Sequence, residues 1–152
     1  ARALVPDYGL GAHVAPLGLT FARRGNLPDP FGEGAFIGEH GSWNREPKSG
    51  YKVVFVPFAG GRPSGDPMDV LTGFLDDKGN ARGRPVGVAL DRKGALLVAD
   101  DVGNRIWRVS RDEAVAAAPA SERKPCPAKI LLPHTILSPP PSNMCSARLV
   151  LV

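Results

Sequence analysis

Arg82 and Arg84 stand two residues apart in the run Arg82-Gly83-Arg84-Pro85. In an extended chain, residues two apart face the same side. Pro85 biases Arg84 toward that extended backbone. The spacing predicts two guanidiniums turned toward one volume, and parallel forks suit a ligand with several carboxylates. The plain alternative is a solvated basic turn. A second group is His40-Gly41-Ser42-Trp43-Asn44-Arg45. It brings an imidazole, a ring, an amide and a cation into one loop after an apolar run, a place where scaffolds carry function. Trp43 can stack on a planar ligand, Asn44 or Arg45 can bond its polar edge, and His40 can act as a base. Equally, Trp43 can pack and His40 can be a satisfied structural histidine. Asp100 and Asp101 occupy the matching place further on. Paired carboxylates bind Ca²⁺ or orient an arginine. More often such an Asp caps the following turn, here Val102-Gly103-Asn104. There is no Ser/His/Asp triad spacing, phosphate loop or dinucleotide fingerprint. Gly9-x-Gly11 lacks the strand and helix that would give it meaning. Spacing alone assigns no catalytic residue and no metal ligand.

The elements that position these residues form a pattern that occurs twice. Gly18 to Phe21, Gly34 to His40 and Tyr51 to Pro57 make one pass; Gly87 to Leu90, Gly94 to Asp101 and Arg105 to Val109 make the next. Each pass reads as a short apolar strand, a turn, a buried strand ending in polar residues, a loop and a third strand. Leu17, Leu19 and Phe21 alternate with Gly18 and Thr20, the period of a half-buried strand. Val53-Val54-Phe55-Val56 is the most β-rich run. Residues 68–74 can supply an outer fourth strand to the first pass, and no fourth strand is evident for the second. A repeat of small antiparallel sheets predicts an all-β fold, part of a β-propeller, with about two blades over residues 1–112. The first strand of each blade lines the hub, so Arg82 and Arg84 are expected at the channel mouth. Two blades cannot close a ring. Residues 113–152 are expected to hold a short helix after Asp112, a plausible N-cap, and then an irregular tail broken by prolines.

Composition narrows the function classes. The 18 glycines and 16 prolines in 152 residues favour turns and short strands over long helices. No apolar run is long enough for a membrane span. The N-terminus lacks an initiator Met and an apolar signal core, so the chain is expected to begin inside a longer protein or after processing. The net charge of +4 comes from scattered basic residues, not a block interleaved with aromatics, and gives nucleic-acid binding little support. Cys126 and Cys145 sit in the tail outside any metal pattern, as one disulfide or two free thiols.

Taken together and in order, Ala15 to Phe21, Glu39 to Arg45, Gly50 to Val54, Leu71 to Phe74, Gly83 to Gly87 and Leu97 to Asp101 resemble the C-terminal part of the sorbosone dehydrogenase family. Its members are relatives of the soluble quinoprotein glucose and aldose sugar dehydrogenases. The resemblance runs from about Tyr8 to Ser110. It implies a six-bladed propeller, pyrroloquinoline quinone (PQQ) as cofactor and calcium holding that cofactor. It implies oxidation of a sugar at its aldehyde or anomeric carbon, with hydride passing to PQQ and on to an electron acceptor. It places Arg82, Arg84, His40, Trp43, Asn44 and Arg45 at the cofactor, and the catalytic histidine and the calcium segment upstream of this sequence. An exported, periplasmic or secreted, location is implied with it. Two other readings stand beside it: a non-catalytic propeller module that self-associates through exposed blade edges, and a calcium-dependent propeller lactonase with Asp100 and Asp101 as ligands.

Overall fold

The structure, a computed structural model, describes residues 2–22 and 30–110, together with the backbone of two short strands further on. Every regular element among the described residues is a strand. The first sheet contains β1 (Pro16–Phe21), β2 (Gly34–Glu39), β3 (Lys52–Ala59) and β5 (Met68–Thr72), in that spatial order and antiparallel throughout. β4 (Arg62–Pro63) only closes a hairpin onto the end of β3. The second sheet contains β6 (Pro85–Leu90), β7 (Leu96–Asp100) and β8 (Arg105–Val109), again antiparallel. Asp91-Arg92-Lys93-Gly94 is the short turn that joins β6 to β7, and Asp76-Asp77-Lys78-Gly79 turns the connection between the sheets, closed by a Leu75–Ala81 bridge. In both turns an Asp carboxylate, Asp76 or Asp91, accepts backbone N–H groups two and four residues on.

The two later strands extend these sheets. β9 (Ala128–Lys129) runs parallel to β5, and β10 (Ala147–Leu149) runs antiparallel to β8. β10 thus takes the fourth place in the second sheet, for which no strand was evident in the sequence. The reason is distance: nearly forty residues separate β10 from β8, and no local periodicity announces it. The helix expected after Asp112 lies outside the described residues, as do Cys126 and Cys145.

The sheets pack face to face. Phe36, Val53, Phe55 and Leu71 from the first meet Leu96, Val98 and Trp107 from the second, with Phe74 between them edge-on to Trp107. Each such large side chain contributes about 1.5–3 kcal/mol on burial. The other face of the first sheet carries Ala35, Ile37, Val54 and Val56 beneath Tyr8 and Leu10. Covering on both faces explains why Val53 to Val56 is a continuous apolar run and does not alternate.

One expectation fails at the edge. Leu17, Leu19 and Phe21 are more than half exposed, at 56%, 55% and 59%. Their period is that of a strand, but no sheet among the described residues covers that face. An uncovered apolar blade face is what an arc of a propeller presents.

The inner strands come closest of all. A Cβ on Gly18 would lie 2.2 Å from the Val86 carbonyl oxygen and 3.0 Å from Gly87 Cα; one on Gly38 would lie 2.7 Å from the same oxygen. β1 and β2 therefore meet β6 backbone to backbone, with no space for a side chain between. Replacing Gly18 by Ala should lower stability by about 1–3 kcal/mol, because the obstruction is main chain and cannot swing away. Gly87→Ala, whose Cβ would meet only the Ala99 methyl at 3.8 Å, should be tolerated. Denaturant midpoints of the two variants check this; equal losses would refute the close approach.

Candidate functional site

The chemistry-bearing residues gather where the seam between the two sheets reaches the end of β2. His40 leaves that strand with its N–H bonded to the Ala15 carbonyl at 3.0 Å, and Gly41 follows with a bond to Val14 at 2.9 Å. Gly41 has φ 93° and passes flat over the Tyr51 ring, which a Cβ would strike at 2.3 Å. Tyr51 itself holds φ 58° and is buried. A left-handed backbone costs a tyrosine on the order of 1–2 kcal/mol. Its hydroxyl offsets this by donating to the Ser42 carbonyl. Ser42 closes the loop in turn: its N–H reaches Ser49 O at 2.9 Å and its Oγ accepts from Ser49 N at 3.1 Å.

The other side of the site is built on Asp100. This carboxylate ends β7, is 3% exposed, and meets three donors. Oδ1 accepts from the backbone N–H of Arg84 at 2.7 Å and of Gly103 at 2.8 Å; Oδ2 accepts from Trp107 Nε1 at 3.1 Å. Of the two roles open to it in the sequence, the turn cap is the one seen. Asp101 returns its N–H to the Arg84 carbonyl at 3.4 Å.

Arg84, fixed on both sides of its backbone, sends its side chain across the seam. Nη1 lies 3.3 Å from His40 Nδ1, and Nη2 donates to Ser42 O at 2.8 Å and to the Tyr51 hydroxyl. The guanidinium sits over the Tyr51 ring at 4.8 Å, a cation–π contact. Asp101 completes the group, with its carboxylate oxygens 3.1 and 3.3 Å from His40 Nε2.

Of the residues singled out in the sequence, the structure joins His40, Arg84 and Asp101. It does not join Arg82. That side chain is exposed, and its charge is felt by Asp76, whose carboxyl is held low chiefly by hydrogen bonds from Asn80 and also by Arg82. Among the described residues no hydrogen bond or ion pair ties the Arg82 side chain to the partners of Arg84. Both arginines precede β6, which begins at Pro85; the Arg82 backbone is bonded to Phe74 O at 2.8 Å and that of Arg84 to Asp100. Trp43, Asn44 and Arg45 are exposed, Trp43 at 82%, so the indole is not part of the core formed by the described residues. Arg45 reaches back to Ala12 O at 3.3 Å. Tyr51 and Ser42, site residues in the structure, stand in the sequence only as a strand start and a loop residue. A signal was present for the first: a tyrosine buried at the start of an apolar strand needs a partner for its hydroxyl.

The TrAA12-like family profile matches residues 2–112. The chain belongs to the TrAA12-like family. It is 34% identical over 129 residues to the pyrroloquinoline quinone-dependent pyranose dehydrogenase of Coprinopsis cinerea, covering 73% of this chain and 17% of that enzyme. It is 42% identical over 103 residues to an uncharacterised protein of Borreliella burgdorferi, covering 67% of this chain and 27% of that one. The chain thus spans little more than a quarter of the length of these relatives at most. Among solved structures it is similar to the holo form of the PQQ domain of Coprinopsis cinerea pyranose dehydrogenase, at 29% identity over 62% of this chain and 26% of that one, with a TM-score of 0.46. The calcium structure of the Trichoderma reesei family AA12 enzyme is similar at 29% identity over 62% and 24%, with a TM-score of 0.44.

The site of this TrAA12-like chain can be tested against both groups named there. A planar tricarboxylate needs N–H donors at the seam. Arg84 spends both Nη2 hydrogens and one on Nη1 within the protein, leaving Nε–H and the second Nη1–H, which point to different edges of the planar guanidinium. Either one fits a single charge-assisted bond to a PQQ carboxylate oxygen. Calcium fits less well: among the described residues no three His, Cys, Asp or Glu side chains cluster to hold a metal. No helix among them is long and apolar enough to cross a membrane.

Beside His40, Glu39 is 2% exposed, and its Oε2 has no hydrogen-bond partner. Burial pushes this carboxyl above the usual glutamate range; Lys52, paired across from it on β3, pulls the other way, and Asp69 adds to the rise. A folded-state value above the unfolded one means full stability at low pH, lost as pH climbs through the folded-state value. Glu39→Gln removes that loss. The variant should show a higher denaturation midpoint than the native chain at about pH 8, with the gap closing below about pH 4. A gap that is flat with pH would contradict this.

Proposed function

We propose that this chain is the C-terminal arc of a propeller quinoprotein of the sorbosone dehydrogenase type, and that the Arg84 cluster forms one wall of its PQQ site. The observation that carries the reading is the aimed guanidinium of Arg84, held in the seam between two blades with two N–H groups unspent. The family match and the 34% identity to a PQQ-dependent pyranose dehydrogenase support it. The substrate would be an aldose or a sorbosone-type aldehyde, oxidised at its aldehyde or anomeric carbon.

PQQ, when bound, supplies a two-electron acceptor for hydride. This chain's residues do the rest of the work assigned here. Arg84 neutralises a cofactor carboxylate from a partly dry position, where a charge-assisted bond is worth more than in water. His40 and Tyr51 keep the guanidinium from turning away. Trp43 stands exposed on the adjoining loop as a stacking surface, flanked by the polar side chains of Asn44 and Arg45. Arg82 contributes long-range positive charge rather than a direct contact. No group in the cluster is assigned the base that takes the sugar's proton, and no calcium ligand is assigned in this chain. An electron acceptor and an exported location belong to the same proposal.

The lactonase reading loses Asp100, both of whose oxygens are taken by N–H donors. The assembly-module reading keeps one observation in its favour, the exposed face of Leu17, Leu19 and Phe21.

Equilibrium titration of the purified chain with PQQ, followed by an aldose oxidation assay with an artificial acceptor, tests the proposal. Expected are saturable PQQ binding and no turnover. Absence of binding at millimolar PQQ would remove the cofactor-wall reading, and turnover by this chain alone would overturn the assignment of the base elsewhere.

A further inference from the structure

Arginine carries donors only, so the nitrogen that meets Arg84 Nη1 must accept. That nitrogen is His40 Nδ1. A neutral imidazole has one N–H, and it is therefore on Nε2. Nε2 in turn faces the two oxygens of the Asp101 carboxylate, which can only accept. All three groups are satisfied in one arrangement: carboxylate, Nε2–H, bare Nδ1, guanidinium. A doubly protonated ring would set N–H against N–H at Arg84, and an Nδ1–H tautomer would do the same while leaving Asp101 facing a lone pair. The ring is 18% exposed at its side chain and Asp101 54%, so the outer end of the chain of contacts is in water, while Arg84 at the inner end is half-buried.

We propose that Asp101 is a positioning residue for Arg84, acting through the imidazole of His40. It rests on the reading of Arg84 as the carboxylate-binding group and adds what aims it. Ser42 and Tyr51 hold Nη2; among the described residues only His40 Nδ1 holds Nη1, which keeps a second hydrogen. The guanidinium is planar, so the imidazole, as a third tie, limits tilt of that plane and with it the direction of the free N–H groups. Asp101 reaches Arg84 directly only through its own backbone N–H, which side-chain substitutions leave in place.

The role can be separated from simple charge because the two predict opposite signs. Removing a carboxylate near an anion site should tighten anion binding if Asp101 acts only by its charge. Removing a positioning residue should weaken it. In equilibrium PQQ titrations, Asp101→Ala should bind about fivefold more weakly than the native chain, the size expected for one lost hydrogen bond. The same substitution made in His40→Ala should change nothing further. Tighter or unchanged binding in Asp101→Ala, or an equal loss in both backgrounds, would overturn the proposal. Circular dichroism of Asp101→Ala should match the native chain, since the side chain is exposed.

A second readout does not depend on the cofactor. Nitrogen-15 spectra of the native chain should show His40 protonated at Nε2 and bare at Nδ1. Exchange of the Arg84 guanidinium protons should be slowed, and should speed up in Asp101→Ala. A native chain that binds no PQQ would end the functional reading but leave this result standing. An Nδ1–H tautomer, or Arg84 exchange indifferent to Asp101, would end the positioning role whether or not PQQ binds.

Discussion

The buried carboxylate of Asp100 is the constraint on which the rest of this site depends. It gathers three N–H donors from three stretches of chain: Arg84 just before β6, Gly103 in the turn after β7, and the Trp107 indole on β8. Removing it would leave buried donors unpaired, which is costly because a dry interior offers no replacement partner. The packing around it is tight. A Cβ on Gly83 or Gly103 would fall 2.3 or 2.2 Å from Oδ2. One side chain thus ties the core, through Trp107, to the site, through Arg84. It also places Asp101, since the turn that Asp100 caps is the turn that carries Asp101 to His40.

From that fixed point the polar cluster crosses the seam between blades. Arg84 comes from the second sheet; its acceptors Ser42, Tyr51 and His40 come from the first. The close backbone contact of Gly18 and Gly38 with Val86 sets how near the sheets can come, and so whether the guanidinium reaches. Geometry and packing are therefore coupled: the seam that buries Phe36, Phe55 and Trp107 also brings the acceptors within reach of Arg84.

Much of this was legible in the residues. The seven main strands follow the two passes of apolar runs and turns, because each run is short, β-branched and bounded by Gly, Pro or Asp. The matching places of His40 and Asp101 after β2 and β7 were legible too; that Arg84, which precedes β6, meets His40 was not. What was not legible depended on contacts distant in sequence. Alternation gives Arg82 and Arg84 one direction, yet both precede the strand that begins at Pro85, and only Arg84 bonds across the seam. In sequence Tyr51 reads only as the start of a strand, whereas its left-handed backbone and hydroxyl hold the loop together. The burial of Leu17, Leu19 and Phe21 needs a neighbouring sheet, and strand periodicity cannot say whether one is there. Glu39 shows the reverse: a charged residue at the end of an apolar strand gave no hint that both its faces would be covered.

The account stands or falls on which arginine meets the anion. PQQ affinity measured side by side for Arg84→Ala and Arg82→Ala tests it most directly. Loss of about tenfold or more for Arg84→Ala, roughly 1.4 kcal/mol, with a change of less than twofold for the exposed Arg82, is the predicted result. The opposite ranking would contradict it.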